Sequence, residues 1–517
     1  MPLRTARPKT EKERKHKRMT VNEARRKLAE LQQKQRAYNH AASLIYYDGV
    51  TTAPRGTAAN RGQTLSILSG VQYELKAGRE TAEILDTLAA HQDRLDAKTC
   101  RIVELLQKSL REMRCIPQDE YIAYQTLVNE AGDVWHRAKE ENDYAAFEPY
   151  LAQIVETNIR FAGYIAPDKH PYDYWLDQYE GGLTMEKCDA FFAALRERVV
   201  PLVRRIGEAP QVDDSILHQQ FPQAAQEALS AYLMGLMRLD PAHCGIATTE
   251  HPFTIDFSKY DVRITTHYYE DNFAPSMFSV IHEGGHALYE MGIADEDAYT
   301  ALGGGVSMGI HESQSRFYEN IIGRSRGFIT YVFPKLAELF PAQFAGRTPE
   351  ELYRAVNRVE PSLIRIEADE LTYALHIMVR YELERKLMNR ELTTKELPAE
   401  WNRLYQEYLG VDVPDDTHGV LQDSHWSGGS LGYFPSYALG SAYGAQLLSR
   451  MRETVDVDAC VRRGDLAPVN AWLGEHIWQY GCLYEPGELF ERAVGAKFDP
   501  SYYTAYLEKK LTEVYGL

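Results

Sequence analysis

Long apolar runs are missing from this sequence: no stretch of about 18 consecutive apolar residues occurs, so a membrane span is not expected. Positive charge is in deficit. Lys and Arg number 57 against 74 Asp and Glu, a formal net charge of −17, which argues against a nucleic-acid or anionic-membrane surface. Cysteine is sparse, with six residues and no CxxC spacing, so neither a zinc ribbon nor a dithiol redox site is indicated. Reduced thiols in a cytoplasmic protein are the expectation. No repeat of fixed period and no long Pro/Gly/Ser linker divides the chain. The first residues show no apolar core of a secretory signal. They form a basic run from Arg4 to Arg18, interrupted by Glu11 and Glu13 and free of serine, which does not suit a transit peptide. Residues 1–18 are read as a disordered extension, and residues 19–517 as a single domain.

What is present is ordinary globular material, 44% hydrophobic and 25% charged. From about residue 20 to 245 the pattern is helical. Leu28, Leu31, Tyr38 and Ala41 recur near every 3.6 residues, with similar faces at 58–78, 97–113, 118–136 and 184–207. Between 251 and 269 the period changes to two: Phe253, Ile255 and Phe257, then Val262, Ile264 and Thr266, predict a strand hairpin. Pro275-Ser276 offers a helix start, and helical patterns return at 308–326, 347–358, 367–391 and 437–451. A polar, Gly-rich segment, 418–437, has the composition of a loop that carries chemistry.

The helix after Ser276 contains His282-Glu283-Gly284-Gly285-His286. Histidines at i and i+4 share one helical face and can reach one metal ion, with Glu283 beside them as a base for water. Zinc lowers the pKa of a bound water to about 7, which yields a nucleophile at neutral pH. The two glycines each cost about 1 kcal/mol in a helix relative to alanine, so they point to close approach by a substrate or another backbone. A third protein ligand is required. Tyr289 and Gly292 occupy the offsets where a metzincin carries Gly and His, which excludes that class. Glu312, at the start of a following helical pattern, is modestly favoured by spacing, with Glu290 and Glu319 as rivals.

Six ordered blocks carry a resemblance to the M32 metallocarboxypeptidases of the carboxypeptidase Taq type. They are His251-Pro252-Phe253; Asp261-Val262-Arg263-Ile264-Thr265; the HExxH of 282–286; His311-Glu312-Ser313-Gln314; Ile364 through Tyr373; and Gly419 through Trp426. Tyr46-Tyr47-Asp48 departs from the Trp-Asp more usual near that point. The resemblance implies a mostly α fold, one large helical domain with a deep groove and a small β-sheet next to the HExxH helix, and commonly a homodimer. It implies His282, His286 and Glu312 as ligands of one divalent ion, and Glu283 as general base. Zinc is the default for such a site, with cobalt or manganese as alternatives.

An enzyme that reads a free C-terminus needs a cation for the terminal carboxylate, and a guanidinium fork suits it. The resemblance favours Arg365. Arg263, in a predicted strand, is the other candidate and has Asp261 or Glu270 as alternative partners. His251 is a further candidate for binding substrate backbone. Donors for the developing oxyanion are sought in the polar segment: His425 first, then Tyr433 and Tyr437, which the sequence does not rank. Asp369 or Glu370 is expected to orient a ligand histidine through its second nitrogen. The competing readings are an HExxH oligoendopeptidase, which has no need of a carboxylate-binding arginine, and a non-catalytic helical scaffold. An aminopeptidase of the GxMEN type is disfavoured because that sequence is absent.

Overall fold

The computed structural model describes residues 19–517; the basic run at 1–18 lies outside them. The described residues form twenty α-helices, a few 3-10 turns, one π-helical turn and a three-stranded sheet. None of these helices is long and apolar enough to cross a membrane.

The opening helix, Val21–Thr51, starts where Thr20 accepts from the Glu23 backbone N–H, an N-cap that satisfies one otherwise free donor. Its Ala24, Leu28 and Leu31 pack with Ile84, Leu85, Leu88 and Val103 into a satellite apolar cluster. The main core is a larger, continuous cluster that surrounds the HExxH helix.

The sheet lies beside that helix. Strands β1 (Cys244–Thr248), β2 (Thr254–Ser258) and β3 (Asp261–Thr266) stand in the order β1-β3-β2. The predicted hairpin is present as the antiparallel pair β2–β3, with Ile255 opposite Arg263. Strand β1, parallel to β3, is an addition to that prediction. Its sequence, Cys-Gly-Ile-Ala-Thr, is short and holds one bulky β-former, so no period-two signal rises from it.

The HExxH helix runs Ala274–Met291, with Pro275 in its first turn where a missing N–H costs nothing. A short helix, Met308–Arg316, follows and loosens into the π-helical turn Phe317–Gly323. The helix expected from 367 begins later, at Tyr373. Asp369 accepts the backbone N–H groups of Leu371 and Thr372 and the Thr372 hydroxyl, and so holds the chain in a turn before the helix starts.

Candidate metal centre

The HExxH helix meets Met308–Arg316 at very short range because Gly285 has no side chain. A Cβ there would lie 2.6 Å from the Gln314 carbonyl oxygen and 2.8 Å from Ser315 Cα. Gly284 does the same on another side, against Met237. The costly glycines thus serve the approach of neighbouring elements. From the opposite direction the helix Pro435–Met451 closes in through Gly440, whose Cβ would stand 2.6 Å from Glu312 Cβ.

These contacts bring His282, His286 and Glu312 together, with candidate ligand atoms all within 4.8 Å of one another. Glu312 Oε2 lies 3.7 Å from His282 Nε2 and 3.4 Å from His286 Nε2. The histidine side chains keep 18% and 16% of their surface open while that of Glu312 keeps 7%, so solvent reaches the imidazoles past a buried carboxylate.

Each histidine is fixed through its other nitrogen. His282 Nδ1–H donates to Glu319 Oε2 at 2.8 Å. His286 Nδ1 faces His311 Nδ1 at 2.6 Å, and His311 Nε2 faces Glu290 Oε1 at 2.8 Å. Protons on His286 Nδ1 and His311 Nε2 satisfy both bonds and leave His286 Nε2 free as a ligand. Glu319 and Glu290, rivals for the third ligand position by sequence, are therefore the orienting partners. Asp369 and Glu370 are not, which corrects the expectation. Asp369 is consumed in its turn, and Glu370 accepts from the buried Lys510 ammonium at 2.6 Å.

Charge in the site is set by these neighbours. Burial alone would raise the Glu312 carboxyl, but the Arg316 guanidinium at 2.7 Å and the two histidines outweigh it and hold the group well below the usual range. Burial, helped by His311 and His282, pulls His286 down to about 4, whereas at His282 burial is outweighed by the carboxylates of Glu312, Glu319 and Glu283, which raise it. Glu283 is displaced the other way. Burial lifts its pKa, only partly opposed by His282 and by the Thr254 hydroxyl, which donates to Oε2 at 2.7 Å. Two imidazoles with locked tautomers, one ionised carboxylate and a second buried carboxylate alongside fit a divalent metal. Thr254 was missed as a site residue; the only sequence signal for it was its place in β2, just past His251-Pro252-Phe253.

The wall facing these ligands comes from the polar segment. His425 Nε2 lies 3.2 Å from the Tyr437 hydroxyl, and the Tyr433 ring stands 5.1 Å from that of Tyr437 and 5.4 Å from His425. Tyr437 is one turn before Gly440 on the same helix, which brings it next to Glu312. His425 Nδ1 is buried and has no hydrogen-bond partner among the described residues. Arg365 joins this wall, its guanidinium 5.1 Å from the centre of the Tyr437 ring. It is buried, and its Nε and Nη2 both donate to Asp423 Oδ1, at 3.0 and 2.7 Å, while Nη1 donates to the Tyr373 hydroxyl at 3.1 Å. Arg380, fully buried, holds the other oxygen of Asp423. Arg263 is engaged elsewhere. It forms a two-pronged pair with Asp261 at 3.0 Å and lies over the Phe257 and Tyr47 rings. His251 is exposed in the turn between β1 and β2.

A mainly helical fold with two histidines of an HExxH helix, a glutamate from the next helix and a free buried carboxylate beside them defines a metal-dependent peptide hydrolase. The chain belongs to the carboxypeptidase Taq (M32) metallopeptidase family, which matches residues 27–511, and it is a metallocarboxypeptidase that depends on a divalent ion. It is 40% identical over 484 residues to carboxypeptidase 1 of Bacillus subtilis (strain 168), covering 93% of this chain and 96% of that protein. It is 36% identical over 512 residues to thermostable carboxypeptidase 1 of Thermus thermophilus, covering 96% and 100%. The crystal structure of the M32 carboxypeptidase from Deinococcus radiodurans R1 superposes with a TM-score of 0.93 at 34% identity, over 96% of this chain and 100% of that one.

Proposed function

We propose that the enzyme removes C-terminal residues one at a time, with His282, His286 and Glu312 holding zinc, Glu283 as general base and Arg365 receiving the terminal carboxylate. The observation that carries this reading is geometric: candidate ligand atoms of His282, His286 and Glu312 lie within 4.8 Å of one another, with the buried Glu283 carboxylate, held by the Thr254 hydroxyl at 2.7 Å, outside that set. When bound, the ion supplies Lewis acidity, polarising the scissile carbonyl and acidifying a water.

Everything else is work for the chain. Glu283, oriented by Thr254, takes the proton from the attacking water and passes it to the leaving amine. His425, Tyr433 and Tyr437 present hydrogen-bond donors toward the developing oxyanion. His425 suits this because burial and the Arg365 charge pull it down to about 4, so it acts as a neutral donor. Arg365 is pre-oriented by Asp423, and a guanidinium so fixed loses little freedom on receiving a carboxylate. Arg263, already paired with Asp261, and the exposed His251 are proposed as secondary substrate contacts at the sheet.

A free-acid peptide should lose residues singly from its C-terminus, and its amidated twin should be cut slowly or not at all, as followed by mass spectrometry. Arg365→Ala should remove most of that preference, a loss of about 1.5–3 kcal/mol for a buried charged hydrogen bond. Arg365→Lys should restore it only in part, for want of the fork. Equal cutting of both peptides at internal bonds would favour the oligoendopeptidase reading. Metal analysis distinguishes zinc from cobalt or manganese. We propose a cytoplasmic location, supported by six cysteines with no disulfide among the described residues. A homodimer is proposed from the family resemblance, and sedimentation tests it.

A further inference from the structure

The segment between Asp423 and Phe434 carries two of the proposed donors, His425 and Tyr433, yet it contains three glycines and no regular helix or strand. Its internal backbone bonds, such as Ser430 N–H to His425 O at 2.9 Å, coil it on itself without anchoring it. The anchor is one carboxylate on the helix Tyr373–Met388. Glu384, fully buried, accepts the Trp426 indole N–H on Oε1 at 2.7 Å. On Oε2 it accepts the Gly432 backbone N–H at 2.8 Å and the Tyr172 hydroxyl at 2.9 Å. Trp426 directly follows His425, and Gly432 directly precedes Tyr433. The carboxylate thus holds the loop one residue away from each donor.

Gly432, at φ +90°, lies flat on the short helix Pro171–Tyr179; a Cβ would come within 2.9 Å of the Trp175 carbonyl carbon. From the same helix Tyr179 packs edge-on against Tyr433 at 5.0 Å. The next residue, Glu180, accepts the Gly309 backbone N–H at 2.9 Å, in the first turn of the helix that bears Glu312. One strut therefore touches both the donor loop and the metal-ligand helix, and Glu384 ties the loop to it through Tyr172.

The chemistry calls for a carboxylate. Three donors converge on two oxygens, and only an ionised carboxyl accepts on both without offering a hydrogen. Burial raises Glu384 to about 7, against the pull of Trp426, Gly432, Tyr172 and Arg380, so the fully accepting carboxylate prevails above neutral pH. Tyr179 and Cys188 are the other titratable groups close enough to feel it. A glutamine of the same shape would turn its amide N–H groups toward the Trp426 indole N–H in one orientation and toward the Gly432 N–H in the other, losing that bond.

We infer that Glu384 is a positioning residue of the peptidase reaction, placing His425 and Tyr433 against the Glu312 side of the site through its grip on the loop; this rests on the donor roles proposed above. The test uses the full-length, zinc-loaded enzyme on one free-acid peptide and its amidated twin, with metal content measured alongside kcat and KM. Glu384→Gln should lower kcat per bound metal by about 10- to 100-fold, the range for misplaced or missing oxyanion donors. KM should move by less than about threefold, and the preference for the free acid should persist, because Asp423 still holds Arg365. A purely structural carboxylate would change yield or melting temperature and leave kcat per bound metal intact. Tyr172→Phe, which removes one hydrogen bond and keeps the carboxylate, should cost about three- to tenfold in kcat and stands in if Glu384→Gln does not fold. Unchanged kcat in Glu384→Gln, or in Tyr172→Phe where only that variant folds, overturns the inference alone, provided His425→Ala loses at least about tenfold. Unchanged kcat in both His425→Ala and Tyr433→Phe overturns the donor reading and the inference with it.

Discussion

Glu283 and Glu312 are buried carboxylates next to the same two histidines, yet their surroundings drive them apart. Arg316 lies behind Glu312 and keeps it charged, whereas Glu283 has a neutral hydroxyl, Thr254, and is lifted by burial. Amide substitutions should separate the two roles. Glu312→Gln removes the charge a cation needs and should release metal on dialysis, with activity falling in proportion. Glu283→Gln should retain one metal per chain and lose at least about two orders of magnitude in kcat, as for a missing general base. A fully metal-loaded, active Glu312→Gln, or a Glu283→Gln enzyme within about threefold of the parent, would contradict the assignment concerned. At this scale the sequence was informative about residue types that must be close in the chain. His282, Glu283 and His286 sit within little more than one helical turn, so spacing alone shows their relation. The partners of their second nitrogens come from elsewhere, and Asp369, which spacing offered for that task, has its oxygens occupied by its own turn.

Among elements, the decisive contact is between two helices whose backbones nearly touch at Gly285. Propensity says that alanine there would stabilise the helix by about 1 kcal/mol. Sterics says the opposite, because the new methyl meets backbone that cannot swing aside, and overpacking of this kind costs about 1–3 kcal/mol. The steric effect should win: Gly285→Ala should lower the melting temperature and weaken metal retention, since the helices bearing His286 and Glu312 are pushed apart. Gly132, inside the helix Gln118–Glu141 with nothing within 4 Å of its would-be Cβ, is the control. Gly132→Ala should be neutral to stabilising by up to about 1 kcal/mol in thermal or denaturant unfolding. The same sign for both substitutions would mean that the helix contact at Gly285 is slack.

For the whole molecule, an ion held by the proposed ligands would cross-link Ala274–Met291 and Met308–Arg316, in the middle of the main core. An ion that binds only the folded chain stabilises it by mass action, about 2.7 kcal/mol when free metal stands at about 100 times its Kd. Scanning calorimetry should therefore show a lower Tm after chelation and recovery with zinc. An unchanged Tm, with metal shown to be absent from one sample and present in the other, would place the binding site away from this helix pair.

The sequence by itself determined the local periods and the short-range chemistry. About half of the described helices, the β2–β3 hairpin, the paired histidines with their glutamate, and the carboxypeptidase family followed from spacing and ordered blocks. Its limits are physical. A five-residue strand such as Cys244–Thr248 carries too little side-chain pattern to declare itself and exists because β3 lies beside it. Which glutamate meets the histidine pair depends on how closely three helices pack, and that closeness is set by the missing side chains of Gly285, against Gln314 and Ser315, and of Gly440, against Glu312. Arg365 is aligned by Asp423, and the donor loop by Glu384, through contacts 58 and 42–48 residues apart in the chain. Such bonds form only after the core has brought their elements together, so only the tertiary structure decided which buried charges face one another.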